Sequence, residues 1–258
     1  VLSGKELDFY IPSKNVAIEF DGLYWHSDLY KDKNYHNSKR LLCNSKGVTL
    51  VHLFEDEWIH SNKIVKSKLK YILGNYDDFT RIYARNCEIK IVDGNSARIF
   101  LQENHLQGKD NCKIYYGAYY DNELISIMSF GRQRYNKNNT PNKFELIRYC
   151  CKTNYLITGI ASKLFKRFVN DYNPDEVISY ADLRWSEGKL YPKLGFNWER
   201  NNSPSYWYVI NNKVKRLHRS NFTKKYLISR GYDKNKTENE IMKELGYFRI
   251  WDCGTALF

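Results

Sequence analysis

Residues 7–28 read LDFYIPSKNVAIEFDGLYWHSD, and the fold turns on how this stretch is understood. Two apolar, β-rich runs, 5–11 (KELDFYI) and 16–21 (VAIEFD), flank the turn formers Pro12-Ser13-Lys14-Asn15, which is the pattern of a hairpin. The same stretch carries Asp8, Glu19, Asp21, His26 and Asp28. Strand residues two apart share a face. Glu6 and Asp8 therefore point one way on the first strand, and Glu19 and Asp21 one way on its partner. Acids so placed are either a solvated edge or a site.

Working outward, 34–46 (NYHNSKRLLCNSK) has helical spacing at Tyr35, Leu42 and Lys46 and stops at Gly47. The run 48–54 (VTLVHLF) is apolar throughout and predicts a buried strand. A helix is expected over 57–73, with Trp58, Val65, Leu69 and Ile72 on one stripe, ending before Gly74. The order is ββαβα. Residues 75–86 change character and are expected to be a linker. From 87 onward a strand (87–92), a helix near 95–104, an antiparallel pair (113–120 and 124–130), a polar loop (131–143), a strand (144–151), a helix (158–171), a strand (176–181), a helix (187–193) and a strand from Phe196 follow. The tail predicts two helices and a closing strand at 247–252. The expected class is α/β (α+β), with one domain over 1–74 and a second over 87–258.

Across 258 residues, 41 Lys and Arg face 29 Asp and Glu, a formal charge of +12, which points to a polyanionic partner, double-stranded DNA first. No apolar run approaches the ~20 residues that span a bilayer, so no membrane partner is expected. Six cysteines occur without a C-x-x-C pair, so no zinc site of knuckle or ribbon type is expected, and free thiols fit a cytoplasmic compartment. The start at Val1, without Met, suggests a segment upstream.

Converging carboxylates repel unless a cation sits between them, and a hard divalent ion with oxygen ligands is the usual answer. Asp8, Glu19 and Asp21 thus predict a Mg2+ (or Mn2+) site. His26, just beyond the second strand, is placed to take a proton from an attacking water. Metal, base and basic surroundings together predict phosphodiester hydrolysis. The alternative is a solvated hairpin end beside an aromatic cluster.

The segments LDFYIP…VAIEFDGLYWHSD and GVTLVHLFEDEW resemble the very-short-patch-repair (Vsr-like) branch of the PD-(D/E)XK nucleases, together with EDxHD-type homing endonucleases of phages, over about residues 1–73. The resemblance implies a restriction-endonuclease-like core and a Mg-dependent endodeoxyribonuclease, with a homodimer on DNA as one route to cutting both strands. In it Asp8 matches the metal-binding aspartate and His26 the histidine that activates water. Glu19 and Asp21 occupy the (D/E)-x-K strand, where aspartate stands for lysine; Lys39 on the next helix is a candidate replacement. His36 falls where these enzymes carry a helix acid, and Glu6 and Glu55 lie nearby.

Two loops are rich in bases and free of acids: 132–143 (RQRYNKNNTPNK) and 213–225 (KVKRLHRSNFTKK). Such loops neutralise phosphates, although a merely solvated surface would look the same. Segments ELIRYCCKTNYLITGIASKLFKRF and ISYADLRWSEGKLYPKLGF resemble the GNAT (acetyltransferase) fold. That resemblance implies a mixed α/β module, with residues 156–161 at the turn that holds a pyrophosphate in the family. Fused to a nuclease-like half, such a module is expected to read DNA. Candidate DNA contacts are Arg132, Arg134, Lys143, Arg184, Lys189, Lys213, Lys215, Arg216 and Arg219. The alternatives are a transferase or DNA-modifying enzyme targeted by its first half, and a non-catalytic DNA-binding protein.

Overall fold

A computed structural model describes residues 4, 6–133, 142–211 and 213–258. In chain order the elements are β1 (Phe9–Ile11), β2 (Val16–Asp21), α1 (Tyr35–Asn44), β3 (Thr49–Phe54), α2 (Glu55–His60), α3 (Asn62–Leu73), β4 (Thr80–Tyr83), β5 (Glu88–Ile91), α4 (Gly94–Asn104), β6 (Ile114–Tyr120), β7 (Glu123–Arg132) and β8 (Lys143–Cys151). They continue with β9 (Tyr155–Thr158), α5 (Ile160–Tyr172), β10 (Glu176–Asp182), β11 (Arg200–Asn201), β12 (Tyr206–Ile210), β13 (Lys213–His218), α6 (Lys224–Ser229), α7 (Glu238–Glu244), β14 (Tyr247–Trp251) and β15 (Thr255–Leu257). The class is mixed α/β, as expected. No helix among the described residues is long and apolar enough to cross a membrane.

The chain divides into two compact units, neither contiguous: Val1–His60 with Asp182–Glu187 and Asn201–Thr255, and Ser61–Ala181 with Gly188–Arg200 and Ala256–Phe258. This differs from the expected blocks 1–74 and 87–258. The reason is that β12, β13 and β14 pair with one another and pack on the amino-terminal segment, burying Val209 and Ile250 against Leu23 and Phe54.

In the first unit β1 and β2 form the expected hairpin, with Phe9 opposite Ile18, and β3 joins β2 in parallel, with Glu19 beside His52. A 3-10 turn at Pro12–Lys14 and left-handed Asn15 (φ 50°) make the hairpin bend; β1 is shorter than the expected 5–11. Helix α1 lies on the sheet face that carries Ala17, Glu19 and Asp21. Its buried stripe is His36, Lys39, Arg40 and Cys43, an i, i+3, i+4, i+7 set. Cys43 packs with Ala17, Val48 and Leu50 at the apolar end. The expected helix over 57–73 is two helices, α2 and α3, that part at Ser61. On the far face of the β13-β12-β14 sheet, Tyr208 packs with Leu227 of α6 and Ile241 and Met242 of α7.

The second unit is built on a seven-stranded sheet in the order β11-β15-β10-β8-β7-β6-β5. Strands β5 to β8 are antiparallel neighbours, and β10 joins β8 in parallel only from Glu176↔Lys143 to Ser179↔Leu146. Beyond that register β8 runs on to Cys151 and β10 to Asp182 without pairing with one another. Helix α4 buries Ala97, Phe100 and Leu101 against Val92, Tyr115 and Ile127. Helix α5 buries Ile160, Ala161, Leu164 and Phe168, and Phe168 stacks on Phe130 at 3.7 Å. Apart from β9, the order β5-α4-β6-β7-β8-α5-β10 follows the GNAT-like element order read from the sequence. The expected linker is corrected: residues 80–83 are β4, which pairs in parallel with β9. The helix expected over 187–193 is instead a 3-10 turn at Pro192–Leu194, because Gly188 (φ 75°) and Pro192 break a regular run.

Candidate functional site: an acid–histidine centre in the first unit

Helix α1 and strand β2 meet in step. Cys43 packs on Ala17, Lys39 reaches Glu19 and His36 reaches Asp21, so one helical stripe pairs with every second strand residue. Lys39 Nζ lies 2.5 Å from Glu19 Oε2, with both side chains buried. Burial disfavours the ammonium, but the hydrogen bond and charge of Glu19 prevail and hold the Lys39 pKa above its usual value. Glu19 Oε1 accepts from the Asp8 backbone N–H, and Asp8 Oδ2 accepts from that of Phe20.

Asp21 is fully buried and stands among three histidines. Its Oδ2 lies 2.9 Å from His52 Nδ1, while His52 Nε2 lies 3.1 Å from the carbonyl oxygen of His36. Both nitrogens of His52 thus face oxygen atoms. Asp21 Oδ1 lies 3.0 Å from His26 Nδ1 and 3.5 Å from His36 Nε2, and those two nitrogens are 3.0 Å apart. Burial would raise the Asp21 pKa, but the charge of His52 and the three imidazoles outweigh it and hold the carboxyl well below the ordinary aspartate range. Burial lowers the His36 pKa despite Asp21.

A second charged group lies on α2. Glu57 Oε1 accepts from Arg184 Nη1 at 2.9 Å and from Arg216 Nη2 at 2.8 Å. Arg184 also bonds Asp182, and Arg216 also bonds Asp56. The two guanidinium carbons lie 4.6 and 4.3 Å from the Phe54 ring centroid. Although burial opposes it, Asp182 and Glu57 keep Arg184 charged. Arg40, also buried, bonds Glu187 at 2.6 Å.

The structure thus brings Asp21, His26 and His36 together, sets Glu19 and Lys39 beside them, and leaves Asp8 exposed at the rim. His52 was missed because it sits inside the apolar run VTLVHLF, where a strand residue gives no separate signal. Arg184 and Arg216 are corrected as DNA contacts, since both are held by internal carboxylates. Lys143 pairs with Glu176 at 2.9 Å. Arg132 is exposed, its guanidinium 4.5 Å from the Phe144 ring, and Lys189 is exposed in the second unit. Lys213, Lys215 and Arg219 are exposed in the first. Arg134 lies outside the described residues.

The expected Mg2+ (or Mn2+) cofactor, and the Mg-dependent endodeoxyribonuclease built on it, are corrected. A hard ion needs a cage of free oxygens. Glu19 is taken by Lys39 and the Asp8 amide, Asp8 accepts from Phe20, and Asp21 is surrounded by imidazoles. The three carboxylates do not share one point.

No known protein-family model matches the chain, and no curated protein matches it. Among solved structures it is similar to a Bacillus subtilis acetyltransferase in complex with CoA, at 14% identity and a TM-score of 0.37, over 66% of this chain and 95% of that one.

Proposed function

We propose that this chain is a double-stranded-DNA-binding protein, whose first unit uses the Vsr-like ββαβα core as a binding platform rather than as a nuclease. The observation that carries the reading is an exposed, acid-free basic run. From Lys213 to Tyr232 no Asp or Glu occurs, and Lys213, Lys215, Arg219, Lys224, Lys225 and Arg230 are exposed on β13, the turn after it, α6 and the residue that follows α6. Of the acids in the same unit, Glu19, Asp21 and Glu57 are turned inward onto Lys39, His52, Arg184 and Arg216. Phosphates are the natural partners of such an exposed run.

The test is fluorescence anisotropy with a labelled DNA duplex over a range of salt. Binding is expected to weaken steeply as salt rises. Lys213→Glu/Lys215→Glu/Lys225→Glu should lower affinity at least ~10-fold and flatten the salt slope by roughly one unit per lost phosphate contact. A variant that binds as tightly as the wild type would retire the proposal.

A transferase is the second reading, supported by the element order of the second unit, which follows the GNAT-like order read from the sequence. Against it stands the turn before α5, where Lys163 ties the carbonyls of Ala84 and Cys87 to the helix. Acetyl-CoA titrated by calorimetry discriminates: absence of heat would dismiss this reading, and saturable binding would raise it above the first.

A further inference from the structure

We infer that Asp21, His26 and His36 form a binding site for one borderline divalent transition-metal ion of the Zn2+ class. Three lone-pair atoms converge there: Asp21 Oδ1, His26 Nδ1 and His36 Nε2, at mutual separations of 3.0, 3.0 and 3.5 Å. All three belong to one group of metal-competent atoms. Zinc bonds of about 2.0–2.2 Å, at angles between about 90° and 110°, place ligand atoms roughly 2.8–3.6 Å apart. The three atoms are spaced as one face of such a shell.

Protons alone do not satisfy the arrangement. One N–H on the inner side gives an imidazole–imidazole hydrogen bond and leaves the carboxylate oxygen bare. Indeed, Asp21 Oδ1 is a buried atom with no hydrogen-bond partner among the described residues. An N–H on both inner nitrogens sets two donors head to head at 3.0 Å. A cation satisfies all three atoms at once.

Donor chemistry selects the ion. Two imidazoles and one carboxylate suit Zn2+ and its neighbours, whereas Mg2+ asks for oxygen alone. The surroundings are those of a supported site. His52 donates to the other Asp21 oxygen and is itself held by the His36 carbonyl, so carboxylate and helix are both braced. His26 keeps 17% of its side chain exposed, which leaves an entry side. Absence of a Cys pattern argued against zinc at the level of sequence; the residues that supply the site are spread over β2, the loop after it and α1.

The test uses the full chain, stripped with chelator and titrated with Zn2+ by calorimetry and with Co2+ by visible absorption. One ion per chain is expected, with ligand-field bands and no thiolate charge-transfer band. His26→Ala should weaken binding at least ~100-fold while far-UV circular dichroism stays unchanged, since His26 is the least buried ligand. His26→Gln is the second variant, should His26→Ala fail to fold, and His60→Ala, exposed on α2, should bind as the wild type does. A folded wild type without saturable binding, a thiolate band, or folded His26 variants of unchanged affinity would each overturn the assignment.

Discussion

Lys39 and Glu19 neutralise one another in a place with almost no water. Removing one partner of such a pair leaves an uncompensated charge and costs about 3–5 kcal/mol, whereas removing both costs far less. Lys39→Met is therefore expected to lower the urea midpoint strongly, and Lys39→Met/Glu19→Gln to recover much of the loss; equal midpoints for the single and double variants would contradict this. Asp252 gives a prediction in pH. Burial raises its pKa to about 6, against the N–H groups of Gly254 and Ser205 that favour the anion. Its folded pKa lies above the unfolded value of 3.8. It therefore stabilises fully below that value and the contribution is lost as pH rises through 6. Asp252→Asn keeps an oxygen for both amides and removes the cost of ionisation, on the order of 3 kcal/mol at neutral pH. Its melting temperature should be flatter than that of the wild type between pH 4 and 7. At this scale the sequence showed Asp21, His26, His36 and Lys39 as chemistry-bearing residues, but it paired them wrongly. Hydrophobic periodicity drew the helix face through Tyr35 and Leu42, while the stripe that meets the sheet is polar over its first turns.

Among the elements, α7 has a complete capping box: Thr237 Oγ1 accepts from the Glu240 amide and the Glu240 carboxylate accepts from the Thr237 amide. Thr237→Ala should cost about 1 kcal/mol in chemical denaturation, with little change in slope. Gly254 is less forgiving. It has φ 80°, and a β-carbon there would fall 2.2 Å from the Asn202 carbonyl oxygen. Gly254→Ala should therefore destabilise by more than ~2 kcal/mol, against a few tenths for an exposed substitution. Strands β2 and β3 and helices α1, α4 and α5 were legible within a few residues, because each has a clear apolar period or a glycine stop. The break at Ser61 and strand β4 were not. A break that leaves an apolar stripe in phase gives no periodic signal, and a four-residue strand is ordered by its partner β9 rather than by its own composition.

For the whole molecule, the division into units rests on contacts between residues far apart in sequence, which no local pattern records. Asp56 and Glu57 find their cations in Arg216 and Arg184, and Asp28 finds Arg249. A fragment of residues 1–74 would keep these acids and lose every one of those arginines, along with the apolar cover over Leu23 and Phe54. It is expected to lack a cooperative thermal transition and dispersed amide resonances, while the full chain has both; a well-folded fragment would refute this.

The interleaving of the two units also has a consequence in time. The first unit is completed by Asn201–Thr255, so 195 positions separate His60 from the end of its last segment. At ~5–20 residues per second on a ribosome, that is a delay of roughly 10–40 s. Throughout it the emerging hairpin, with its histidines and carboxylates, waits without its closing strands, while most of the second unit is already synthesised. The molecule is therefore expected to mature from its middle outward, the amino-terminal centre assuming its final form only when Asn201–Thr255 have emerged.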